Sequence, residues 1–188
     1  IIVISLFVAV IFGPQWWAQY TFKKHNADLP HIPGTGGELA RHLIDRFQLT
    51  DVKVEMTEAG DHFDPAAKMV RLSPSNFNGR SLTAIAVAAH EVGHAIQHHH
   101  GSRLLALRTR MVIFANVAER AGAFAMLAMP FVALITRSPA GGALMIAIGA
   151  SSLLAASLTH LVTLPVEFDA RFGKALPILQ QGAYVRAD

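Results

Sequence analysis

Between Ala121 and Leu158 the chain carries a single charged residue, Arg137. Two apolar runs, 121–135 and 142–158, flank a polar stretch at 136–141. A helix needs about 20 apolar residues to cross a bilayer. Joined to 112–117 on one side and 160–164 on the other, both runs reach that length, so the expected element is a helical hairpin crossing a bilayer twice. The composition agrees, because 52% hydrophobic and 15% charged residues make a greasier chain than an ordinary soluble domain. The second run contains Gly149, Ser151, Ser152 and Ser157, small residues that let helices approach closely in lipid. Glu119 and Arg120, costly in hydrocarbon, are expected at the interface or paired with each other.

The N-terminal stretch Ile1 to Ala18 is also almost wholly apolar, with Trp16, Trp17 and Tyr20 ahead of Lys23 and Lys24. Aromatic residues followed by lysines mark the end of a membrane anchor, placed here at 1–20. No small-residue cleavage site precedes the tryptophans, which disfavours a removable signal peptide. Lys23, Lys24, Arg103, Arg108 and Arg110 fall on one side of the hairpin and Arg137 on the other, so the positive-inside rule puts the larger polar region in the cytoplasm. The basic residues are not interleaved with aromatics, which argues against nucleic acid as a partner. The absence of cysteine excludes disulfides and thiolate metal ligands.

Between anchor and hairpin the chain becomes water-soluble in pattern. Residues 38–47 read as a helix with Leu39, Leu43, Ile44 and Phe47 on one face, after a Pro/Gly-rich loop. Alternation at 52–57 and 69–72 predicts two short strands around a turn at Asp61-His62-Phe63-Asp64-Pro65. Such a sheet would offer an edge along which an extended peptide could add. His62 and Asp64 are candidates to face a site, weighed against the commoner role of such residues in shaping a turn.

The chemistry concentrates at His90-Glu91-Val92-Gly93-His94, in an alanine-rich helical run that Ser81 is placed to cap. Residues four apart lie one above the other on a helix, so His90 and His94 can offer two imidazoles to one divalent ion while Glu91 serves as a general base for water. Zinc suits imidazole donors and, in catalytic sites, takes three protein ligands and leaves one position for water. Gly93 is unfavourable in a helix, and is read as a place where another element comes close to the metal. His98 continues the histidine face, but three ligands on one straight helix would spread over about 12 Å. His98, His99 and His100 therefore read as a solvated helix end suited to the negative pole of the dipole.

A third ligand must come from elsewhere. Two crossings return the chain to the side it left, so the segment after Leu164 shares a compartment with His90 and His94. It runs Pro165-Val166-Glu167-Phe168-Asp169-Ala170-Arg171, read as a proline followed by a new helix. Glu167 is the first candidate and Asp169 the alternative, with His160 too deep in the second span.

The stretches Asp61 to Pro65, Val70 to Ser73, Ala88 to Gln97 and Leu164 to Ala170 together resemble the bacterial membrane-bound neutral zinc metallopeptidases of the YugP-like family. That resemblance implies a gluzincin-like site with His90, His94 and Glu167 on zinc and Glu91 as base. It also implies a mainly α membrane protein in the bacterial inner membrane: anchor 1–20, zincin-like domain 21–110 with a small β-sheet, transmembrane hairpin 111–165 and return segment 166–188. Membrane peptidases of the HtpX and CAAX prenyl protease type are similar in layout but carry an acid four residues after the ligand glutamate, where this chain has Arg171. Asp169 is expected to support a ligand histidine, and Arg171, His62 and Tyr184 are candidates for transition-state stabilisation. The expected activity is endopeptidase cleavage of membrane or misfolded proteins, with a membrane-protein partner delivering substrate or controlling access. Family members are expected to continue into a further hydrophobic segment. Two other classes compete. A metal transporter would need histidines or acids within the spans, and 121–135 has none. A zinc-stabilised scaffold would bind a membrane partner without cutting it.

Overall fold

In the computed structural model, which describes residues 2–137, 139–182 and 184, the apolar N-terminal stretch is one helix, α1 (Ile2–Lys24). There follow α2 (Gly36–Arg46), the strands β1 (Lys53–Met56), β2 (His62–Asp64) and β3 (Met69–Leu72), and the short helix α3 (Pro74–Asn78). Three long helices follow, α4 (Leu82–His99), α5 (Arg103–Thr136) and α6 (Pro139–Phe168), and then a π-helical stretch, Asp169–Ala175, and the short helix α7 (Leu176–Gln181). The molecule is mainly helical with one small sheet, and it folds as two compact units, Ile1–His99 with Ala170–Asp188, and His100–Asp169.

The first unit is built around α4. Its apolar residues Ile85, Ala88, Ala89, Val92, Ala95 and Ile96 are all buried, in a core shared with Leu39 and Leu43 of α2 and Val70 and Leu72 of β3. The helix starts where Ser81 Oγ accepts the Ala84 N–H at 3.1 Å, the cap its sequence predicts. α2 starts on a reciprocal pair, Thr35 Oγ1 to the Glu38 N–H and Glu38 Oε2 to the Thr35 N–H.

Three strands form, where the residue pattern suggested two. β3 lies between parallel β1 and antiparallel β2, with Val70 opposite both Val54 and Phe63. The stretch expected as a turn at 61–65 is instead strand β2, and the reversal falls at 65–68. Phe63 is the reason, because its ring is buried in the core and that side chain holds the segment extended. Asp64 shapes the turn from outside it, its Oδ1 accepting the N–H groups of Ala66 and Ala67 at 2.9 and 3.0 Å. Arg71 of β3 ties both neighbours, bonding Asp64 at 2.6 Å and also Glu55.

The second unit contains α5 and α6, both long and apolar enough to cross a membrane. Their contacts pair 108 with 167, 111 with 159, and 122 with 149 and 152, the register of an antiparallel hairpin. Small residues form the seam: a Cβ on Gly122 would stand 2.2 Å from Ser152 Oγ. Pro165 does not start a new helix as its sequence suggested. α6 continues through it to Phe168, and Glu167 therefore stands at a helix end. The missing N–H and the ring of an internal proline cost about 3 kcal/mol, and the residue that follows, Val166, is buried.

Candidate metal centre

His90 and His94 stand one turn apart on α4 with ring centroids 4.6 Å apart and planes at 70°. His94 is buried, and its orientation is set by a partner three residues on. Gln97 Oε1 accepts a hydrogen bond from His94 Nδ1–H at 2.9 Å, and both side chains are buried. An amide oxygen can only accept, so Nδ1 carries a proton, and in the neutral imidazole the Nε2 lone pair is then the one left to coordinate. A neutral imidazole held this way is the form that zinc binds, so the donor set of α4 fits the ion. Sequence reading missed this role of Gln97. The signal was present in its helical spacing from His94, but spacing alone does not tell an amide that orients a histidine from one that meets solvent.

Glu91, between the two histidines in sequence, is also buried. Burial holds its carboxyl above the usual carboxylate range, while the neighbouring His90 and His94 and a hydrogen bond from the Phe63 backbone N–H act in the opposite direction. That backbone donor belongs to β2, an outer strand of the sheet, so the edge lies beside the acid. A polar recess of about 320 Å³ borders the helix one to two turns earlier, lined by Asp61, Ser73, Asn76, Thr83 and Val87 among others. Asp61 is fixed there by the Ser73 N–H at 2.7 Å and Asn76 Nδ2 at 2.8 Å.

Another element does come close to α4 at Gly93. A Cβ there would stand 3.0 Å from the carbonyl oxygen of Ala170 and 3.6 Å from Lys174 Cβ. The π-helical stretch thus lies directly on α4 within the first unit, and α7 buries Ile178 and Leu179 in the same core. π-helical turns are rare and often accompany functional sites.

The other candidates of the first unit belong to different elements. His62 begins β2, and its Nδ1 bonds the Gly60 carbonyl oxygen at 2.9 Å, a local loop contact. His98 packs its ring 5.6 Å from Phe63, and His99 and His100 are exposed, as a solvated helix end requires. Tyr184 lies on α2, its hydroxyl 3.4 Å from Arg46 Nη1 and its ring 5.8 Å from His42. Arg171 and Asp169 are exposed in the π-helical stretch. Glu167 stands in the last turn of α6, in the second unit, paired with Arg108 at 3.0 Å.

The family model described as "Putative neutral zinc metallopeptidase" matches residues 1–188. Over 180 residues the chain is 36% identical to "Putative membrane protease YugP" of Bacillus subtilis (strain 168), covering 93% of this chain and 76% of that protein. No solved structure matches the chain.

Proposed function

The chain belongs to this neutral zinc metallopeptidase family, and from that premise we propose that it is a membrane-embedded zinc endopeptidase with a zincin-like, gluzincin-type site. The observation that carries the reading is the buried carboxyl of Glu91 beside the His90–His94 pair on one helix. His90 and His94 are the nitrogen ligands and Glu167 the oxygen ligand. Two facts support Glu167: it precedes by three residues the Ala170 carbonyl that lies on α4 at Gly93, and three residues span at most about 11 Å of chain.

Zinc, when bound, supplies Lewis acidity to the scissile carbonyl and makes an attacking water acidic near neutral pH. Glu91 takes the proton of that water and returns it to the leaving amine. A carboxyl raised by burial is suited to both directions, because the proton it accepts must be released again within one turnover. The outer strand β2 receives the substrate backbone as an added strand, and the polar recess along α4 takes a substrate side chain. Arg171, exposed in the π-helical stretch, and His62 are the candidates for stabilising the oxyanion, with Asp169 supporting a ligand.

The apolar α5 and α6 cross the bilayer, with α1 as a third span, and the peptidase side faces the cytoplasm of a bacterium, a reading supported by the excess of lysine and arginine on that side. Substrates are membrane or misfolded proteins that reach the site from the bilayer surface, either alone or brought by a membrane-protein partner.

Glu91→Gln tests the assignment. The variant should keep its zinc and lose roughly 10²- to 10⁴-fold in cleavage of an unfolded protein, measured against a chelator control. Undiminished cleavage by the variant rejects Glu91 as the base. Parent protein that binds zinc and cleaves no unfolded substrate favours a scaffold instead.

A further inference from the structure

We propose that Arg108 is a positioning residue that holds the carboxylate of Glu167 in its ligating posture, an inference that rests on the reading of Glu167 as a metal ligand. Both residues belong to the hairpin unit. Arg108 stands in the second turn of α5 and Glu167 in the last turn of α6, and the antiparallel register brings Nη2 within 3.0 Å of Oε1. Three arginines occupy this end of α5. Arg103 and Arg110 are exposed, as solvated cations are, whereas Arg108 is half-buried with its Nε shielded from solvent. Arg108 thus gives up hydration to meet one specific carboxylate.

The chemistry of the pair suits a ligand. A carboxylate has two oxygens and about four lone-pair sites, so one carboxylate can accept from a guanidinium and also serve a metal. A glutamate side chain left to itself loses rotamer freedom on ligation, and a partner that fixes it beforehand removes that cost from metal binding. Arginine is the residue for this work because its planar fork sets direction as well as charge, and it stays protonated at any pH the protein meets. Lysine would match the charge without the direction.

The test uses the full chain in detergent. Zinc affinity is measured by competition with a chromophoric chelator for the parent, R108M, R108K and E167A, alongside the visible spectrum of each cobalt(II) form and the helicity of each metal-free protein. R108M should bind zinc about 10- to 100-fold more weakly with unchanged helicity. R108K should fall between, with a shifted cobalt band, and E167A should be weaker still. Parent-like or tighter zinc binding by R108M, with E167A weakened, overturns the inference and leaves the ligand assignment standing, since Arg108 would then be a bystander or a competitor of the cation. Parent-like binding by E167A overturns the ligand assignment itself. Should R108M fail to fold, R108K decides: a parent-like affinity and cobalt spectrum would show that the fork geometry has no role.

Discussion

On α4, Val92 is 0% exposed and Ile96 5%, while on α5 Leu127, Leu134 and Ile135 are exposed by 74%, 75% and 80%. Both helices draw on the same apolar residue types. The core of α2, the sheet and α7 covers α4. Among the described residues of the hairpin unit, the seam of small residues and a few others such as Leu105 and Val166 are covered, while most of the large apolar side chains are exposed, a pattern unlike that of a water-soluble monomer. The difference teaches that hydrophobicity along a chain states a demand without naming what meets it. For α4 the protein meets it, and the helix can hold polar chemistry at fixed angles in a dry interior. For α5 and α6 the surroundings must meet it, which is the physical ground for proposing a bilayer around them.

Truncation should separate the two regions most widely. Leu43→Ala, in the core that α4 shares, should cost about 2–5 kcal/mol in the thermal unfolding of the protein in detergent, and Leu134→Ala should stay within about 0.5 kcal/mol. Equal losses would break the comparison by showing that the outer face of α5 is packed against protein. A smaller effect is expected inside the first unit itself. Gln97→Leu keeps the burial but removes the acceptor on His94 Nδ1, and should weaken zinc binding about 10- to 100-fold with little change in helicity. Unchanged affinity would mean that His94 is oriented by packing alone.

The smallest effect is a pH dependence of the sheet. The Asp64 carboxyl is held below the usual carboxylate range, first by the Ala67 N–H and then by the Ala66 N–H and Arg71, against a smaller opposing effect of burial. A group depressed in the folded state stabilises above its unfolded pKa of about 3.9 and loses that contribution as pH falls through its folded value. The stability advantage of the parent over Asp64→Asn should therefore be present at neutral pH and shrink as the pH drops below about 4. A difference that stays constant down to pH 2 would show that Asp64 acts through shape rather than charge.

What could be read without coordinates was local. The histidine spacing, the Ser81 cap, the apolar runs and the small residues of the seam all act within a few turns of one helix, where 3.6-residue periodicity converts sequence directly into position. Gly93 belongs to this group as well: its penalty in a helix signalled a close neighbour, although only the fold identified that neighbour as the Ala170 carbonyl. The readings that needed correction were those where a distant contact overrode a local signal. Burial of Phe63 made a strand from a stretch rich in turn residues, and α6 runs past a proline that ordinarily ends a helix, with the following residue, Val166, buried.

The amino-acid order alone thus determined which residues are candidates for the chemistry and which helices are long and apolar enough to cross a membrane, because both follow from side-chain type at helical spacing. Tertiary structure decided how those residues are held: a backbone N–H of β2 on Glu91, Gln97 sealed in the core against His94, and Arg108 meeting Glu167 across a hairpin. Such partnerships depend on desolvation and on chain reversals that join residues as much as 59 positions apart, and neither quantity is written in the neighbourhood of any one of them.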